Sequence, residues 1–221
     1  VDLKASSLSS LCDEIGGDGI VGYACNVTNS SETANLVETC LKKYNKVDVL
    51  INAHQYKNKG FLESTAEDFP EELWDAIISA NLKGTFLTCR DFGRVMLKQG
   101  KGTIINFSST YGIVSSNPNL YEDNSMGNPL AYSASKGGVG MLTKYLGTYW
   151  AKRGVRVNCV TPHGVWNHHE GSFDSQFSKM SPMGRMMKAE EIIGPILFLA
   201  SDASSYVTGS NVLVEGGWTA W

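Results

Sequence analysis

The sequence predicts a doubly wound α/β domain, a parallel sheet with helices on both faces. Three observations carry this: short β-type apolar runs recur along the chain, longer helical stretches separate them, and no linker or internal repeat breaks the alternation. Residues 1–3 read as the end of a strand with a helix after it, and the apolar run at 20–25 reads as the next strand. A helix near 30–44 leads to a strand at 47–52. Pro70 is favourable at a helix start, so a long helix is expected over 70–98, closed by Gly100 and followed by a strand at 102–107. A helix over 130–152, with Gly154 as its stop, leads to a strand at 155–160, and a helix at 189–201 leads to the last strand at 211–214. Each helix is long enough to cross a sheet face and return the chain parallel to the preceding strand. One domain over residues 1–221 accounts for the pattern.

Composition narrows the partners. The chain of 221 residues is 42% hydrophobic and carries 19 basic against 22 acidic residues, a formal charge of -3. That balance gives no electrostatic footprint for nucleic acid or an anionic membrane, which leaves a small molecule as the expected partner. No apolar run approaches the roughly 20 residues a spanning helix needs. The five cysteines, Cys12, Cys25, Cys40, Cys89 and Cys159, lack the paired spacing of zinc sites or disulfide frameworks and read as reduced thiols of a cytoplasmic protein.

The strongest chemical signal is Tyr132-Ser133-Ala134-Ser135-Lys136 at the start of a helical stretch. Residues four apart share a helix face, so the ammonium of Lys136 can sit near the phenol of Tyr132. A neighbouring positive charge favours the phenolate and draws the tyrosine toward a range useful for proton transfer. The pair is therefore a candidate acid/base.

In its surroundings this segment resembles the Tyr-x-x-x-Lys of the short-chain dehydrogenase/reductase family, and further motifs agree in order along the whole chain. Asn106-Phe107-Ser108-Ser109 followed by Gly112 is similar to the segment that supplies the family's catalytic serine, and the offset from the glycine selects Ser109 over Ser108. Asn81-Leu82-Lys83-Gly84 resembles the family's Asn-x-x-Gly, whose asparagine bends a helix and holds a water linked to the lysine. Asn158 to Pro162 resembles the stretch that receives a nicotinamide carboxamide, with Pro162 and Val165 as the expected contacts. Pro182-Met183-Gly184-Arg185, Phe198 to Asp202, Thr208-Gly209 and Glu215 to Trp218 resemble its C-terminal signature. The resemblance implies a Rossmann-like fold, a dinucleotide cofactor and catalysis by Asn81, Ser109, Tyr132 and Lys136.

The same resemblance makes Asp2 the acidic residue that accepts the adenosine ribose hydroxyls and repels a 2′-phosphate, which selects NAD over NADP. Asn26 and Val27 are expected beside the adenine, and Asn52 with the cofactor. Folds of this class begin with a strand, a glycine-rich turn and a helix, and no such turn precedes Asp2. The cluster Gly16-Gly17-Asp18-Gly19 lies ahead of a strand and reads as a loop, so the missing segment is expected in front of this sequence. The departures from the family are His54 and Gln55, where a glycine is usual, and His163; no role follows for them. His168 and His169 are adjacent and do not converge readily on one ion, so no metal is expected.

The resemblance further implies a homo-oligomer, a tetramer. The long connection from Ser109 to Tyr132 carries Asn117, Asn119, Tyr121, Glu122, Asp123, Asn124, Ser125 and Asn128, which suits a polar, carbohydrate-derived substrate and is similar to members linked to bacterial surface-sugar and flagellin glycan synthesis. Trp166 and Asn167 are placed to cover it. The competing readings are a 3-oxoacyl-thioester reductase using NADPH and a catalytically silent nucleotide-binding protein.

Overall fold

The computed structural model describes residues 1–17, 19–56, 64–121, 129–169 and 171–221. Helix α1 (Ala5–Ile15) follows the short extended start, and α2 (Ser30–Tyr44) is capped by Asn29, whose Oδ1 accepts the Ser31 amide at 3.0 Å. Strand β1 (Val49–Asn52) leads to a single long rod composed of α3 (Glu71–Ile78), a π-turn at Ser79–Lys83, and α4 (Gly84–Gln99). Gly100, at φ +70, ends α4, and β2 (Gly102–Phe107) follows. Helix α5 (Leu130–Trp150) leads to β3 (Val155–Pro162), after which come α6 (Gly171–Met180), α7 (Ile193–Ala200) and β4 (Asn211–Val214).

The four strands pair in parallel in the order β1-β2-β3-β4, with Asn52 opposite Asn106, Asn106 opposite Cys159 and Cys159 opposite Asn211. Successive side chains of β2 point to opposite faces. Ile104 packs with Met96, Leu146, Trp150, Val155 and Val157, between the sheet and helices α4 and α5. Ile105 packs on the other side with Val160 and Leu199 against α7. Helices thus cover both faces, as the sequence predicts. A further cluster of Leu120, Phe173, Phe177 and Met186, joined by Trp218, lies apart from these two.

Three details depart from the reading of the sequence. Among the described residues the run at 20–25 forms no ladder and meets the start of the chain through one parallel bridge, Asp2 with Ala24. The single helix expected over 70–98 is interrupted by the π-turn. Helix α6 was not expected, although Phe173 and Phe177, four residues apart, are its signal, since both turn inward from one helix face.

Candidate active site

The loops after β1, β2 and β3 and the first turns of α5 surround a cavity of about 370 Å³ at the carboxyl ends of the strands. Ser109 follows β2 directly. Its Oγ accepts the Tyr111 amide at 3.3 Å as the cap of the 3-10 turn Thr110–Gly112, which leaves its own proton free to donate, and it hydrogen-bonds Tyr132. Ser108 is turned differently: its hydroxyl donates to the Lys136 carbonyl at 2.9 Å and braces α5. Gly112 lets the 3-10 turn lie against that helix. A Cβ on it would stand 2.6 Å from the Lys136 carbonyl carbon and 2.8 Å from the Gly137 nitrogen.

Tyr132 and Lys136 share one face of α5, as their spacing predicts. The Lys136 Nζ lies 5.6 Å from the centre of the Tyr132 ring and donates to the Phe107 carbonyl at 2.8 Å. Burial pushes this ammonium down to about 8. The expected lowering of the phenol does not occur here. Burial pushes Tyr132 up, and the hydrogen bond from Ser109 opposes that rise in part.

Asn81 sits inside the π-turn, buried. The wider turn aims its amide across at α5: Nδ2 donates to Ser135 Oγ at 3.0 Å, and that hydroxyl donates to the Tyr132 carbonyl at 2.7 Å. Its Oδ1 accepts the Tyr56 amide at 2.7 Å. Asn81 therefore ties the segment after β1 to the turn that carries Tyr132.

A second cavity, of about 440 Å³, opens beside β1 and is lined by Asp2, Asn26, Val27, Ala53, His54 and Gln55 among others. Ala53 and Gln55 also line the first cavity, so the two adjoin along the strand ends. The Asp2 residue is exposed, and its Oδ1 accepts the Lys4 amide at 3.4 Å. The Asn26 Oδ1 is taken by the Thr28 amide and hydroxyl, at 3.0 and 2.8 Å, so what it can offer a ligand is its amino group, a donor where a carboxylate accepts. A carboxylate for ribose hydroxyls, an amide donor beside Val27, and the adjoining cavity at Tyr132 fit an adenine dinucleotide.

The side chain of Asn52, expected with the cofactor, turns inward, donating to Asn106 Oδ1 at 2.9 Å and accepting the Thr88 hydroxyl at 2.8 Å, and so joins β1, β2 and α4. His54 and His163, without a role in the sequence, are both buried and held neutral by that burial at about 4. His54 also faces the Lys136 charge and lies 3.4 Å from Thr85 Oγ1. His163 packs among Tyr111, Phe177 and Trp218 at ring distances of 5.3, 4.9 and 4.3 Å. Pro162 and Val165 line the first cavity, and the backbone at Val165 bridges to Met187. His168 stacks near Trp166 and His169 near Phe173, so their rings diverge.

Of the described residues in the connection between Ser109 and Tyr132, those that line the cavity are Tyr111 and Tyr121. Asn117 is exposed and caps the turn Pro118–Leu120, Leu120 is buried, and Tyr121 lines the cavity with Tyr111. Glu122, Asp123, Asn124, Ser125 and Asn128 lie outside the described residues. Tyr111, Tyr121, His163, Phe173 and Phe177 were missed as a group because they come from four separate segments, which nothing in the order of the residues joins.

Comparison with known proteins agrees with this geometry. The family profile described as enoyl-(acyl carrier protein) reductase matches residues 1–219. The chain is 31% identical to the D-threitol dehydrogenase of Mycolicibacterium smegmatis, over 99% of this chain and 82% of that one. It is 36% identical to the 3-oxoacyl-(acyl-carrier-protein) reductase FabG of Thermotoga maritima, over 98% and 85%. A short chain dehydrogenase of Leptospira borgpetersenii, solved with bound NAD+, superposes with a TM-score of 0.82 at 28% identity, over 97% of this chain and 87% of that one.

Proposed function

The chain belongs to the short-chain dehydrogenase/reductase family, and on that premise we propose that it moves a hydride between NAD(H) and a hydroxyl or carbonyl group of a small polar, carbohydrate-derived substrate. The carrying observation is the convergence of Ser109, Tyr132 and Lys136 on one cavity that adjoins the cavity bearing Asp2. Asp2, Asn26, Val27, Pro162 and Val165 would hold the dinucleotide, with Lys136 toward its ribose hydroxyls. When bound, the nicotinamide supplies the hydride acceptor or donor. The substrate oxygen would lie between the Ser109 hydroxyl, which donates to it and stabilises its charge, and Tyr132 Oη, which as the phenol gives it a proton during reduction and as the phenolate takes one during oxidation. Asn81 acts as a positioning residue through Ser135 and the Tyr132 backbone.

The preference for NAD over NADP rests on the Asp2 carboxylate, which repels a 2′-phosphate. A homotetramer is supported by the apolar outer face of α5, where Met141, Tyr145 and Tyr149 are each more than 60% exposed. Five free cysteines support a reducing, cytoplasmic setting for a single domain over residues 1–221. Among the described residues, no helix is long and apolar enough to cross a membrane.

The second reading, reduction of a 3-oxoacyl thioester with NADPH, is favoured by the 36% identity to the Thermotoga maritima enzyme. Turnover of polyols, sugars and 3-oxoacyl thioesters, each with both cofactors, decides between them. Polyol or sugar oxidation coupled to NAD is the expected result; exclusive thioester reduction with NADPH would transfer the assignment to the second reading.

A further inference from the structure

The rim of the catalytic cavity holds two tyrosines that the proposed proton transfer does not use. Tyr111 stands two residues after Ser109, and Tyr121 follows the turn Pro118–Leu120. The Tyr121 hydroxyl donates to the Tyr111 hydroxyl at 2.8 Å, and both residues line the cavity with Tyr132. Their rings are fixed: Tyr121 tilts against Phe173 at 6.2 Å, and Tyr111 meets His163 edge-on at 5.3 Å. Burial raises both phenols, so both keep their protons through neutral pH.

A hydroxyl has one proton to give. Because Tyr121 gives its proton to Tyr111, the Tyr111 oxygen is committed as an acceptor on that side and its own proton must point elsewhere. No described residue accepts it. The wall therefore presents a neutral donor of fixed direction, close to the serine and tyrosine that act on the reacting oxygen, within a surround of aromatic faces.

We propose that Tyr111, oriented by Tyr121, is a specificity-determining residue that donates a hydrogen bond to a second oxygen of the substrate, so that the substrate class is a polyol carrying a hydroxyl next to the carbinol that is oxidised. This rests on the carbohydrate reading above and deepens it. The C–H faces of a polyol pack against Phe173, Phe177 and the Tyr111 ring, while its neighbouring hydroxyl accepts the Tyr111 proton. A plain alkyl chain in the same place leaves that donor buried and unmatched, and a site built around such a donor rejects the analogue that lacks the acceptor.

The test compares D-threitol with 2-butanol, a diol-bearing substrate against a simple secondary alcohol, using full-length enzyme, NAD+, and the variants Y111F and Y121F. Y111F should lower kcat/KM for threitol about 10- to 100-fold, mainly through KM, and change that for 2-butanol by less than about threefold. Y121F keeps the donor but frees its direction, and should lower threitol kcat/KM by a smaller factor with 2-butanol again unaffected. Should Y111F fail to fold, the Y121F comparison carries the same discrimination. Equal losses on both alcohols, or no loss on threitol, would overturn the proposal while leaving the dehydrogenase assignment standing. Absence of any polyol turnover by the unaltered enzyme would overturn both.

Discussion

Lowering the pH from 7 to 5 should destabilise this protein through two residues, His54 and His163. Both are buried, and burial holds each neutral at about 4 against an ordinary value of 6.5. Because both values are depressed in the folded state, the unfolded chain binds more protons than the folded one between pH 6.5 and 4, and stability falls as pH falls through that window. pH 5 lies about 1.5 units below the ordinary histidine value, so the unfolded side chains are protonated there while the folded ones stay neutral, and each costs about 2 kcal/mol at ~1.36 kcal/mol per unit. Together the loss is about 4 kcal/mol, a large share of the roughly 5–15 kcal/mol of an average domain. Glu191, held at about 2 by Arg185, titrates below this window and does not confuse it. Urea unfolding at pH 7 and pH 5, followed by tryptophan fluorescence, measures the difference. H163F keeps an aromatic ring among Tyr111, Phe177 and Trp218 and removes one titrating group, so its pH-dependent loss should be about half. A loss as large as that of the unaltered protein would refute the reasoning.

Y132F should reduce kcat about 10²- to 10⁴-fold while dinucleotide binding by calorimetry changes little, because only the transferable proton is removed; near-normal kcat would require another acid. G112A should lower both activity and melting temperature, since the added methyl meets the backbone of Lys136 and Gly137 at under 3 Å and must push α5 away from Ser109; unchanged values would mean that contact is loose. N52A should cost about 1–2 kcal/mol in urea unfolding, because it takes the amide donor from buried Asn106 Oδ1 while the Thr88 hydroxyl keeps the Gly84 and Thr85 carbonyls, with KM for NAD+ unaltered. Y145K combined with Y149K should dissociate the assembly in sedimentation velocity if the α5 face joins two copies; an unchanged sedimentation coefficient would place the contact elsewhere.

Much of this molecule was legible before the structure because local pattern and tertiary role coincide. The spacing of Tyr132 and Lys136 specifies a shared helix face, and the short β-type run at 102–107 forms a strand buried along nearly its whole length. What escaped reading depends on contacts between distant segments. Asn52 has the look of a polar residue at a strand end, and only the approach of Asn106 and Thr88 turns it inward. Burial raises the phenol of Tyr132, and Lys136 gives its hydrogen bond to the Phe107 carbonyl, a partner 29 positions away.

The π-turn at Ser79–Lys83 places opposite demands on fold and catalysis. A turn of this width accommodates one residue more than an α-helical turn, so the rod before it and the rod after it keep their facings as though that residue were not there. Removing one residue from 79–83 would leave Ile77 and Phe92 packed as before and the rod straighter. The amide of Asn81, however, would swing away from Ser135, and α5 would lose its tether beside Tyr132. The molecule thus carries a one-residue surplus that its architecture does not require, and a deletion there should yield a well-folded protein with a misaligned phenol.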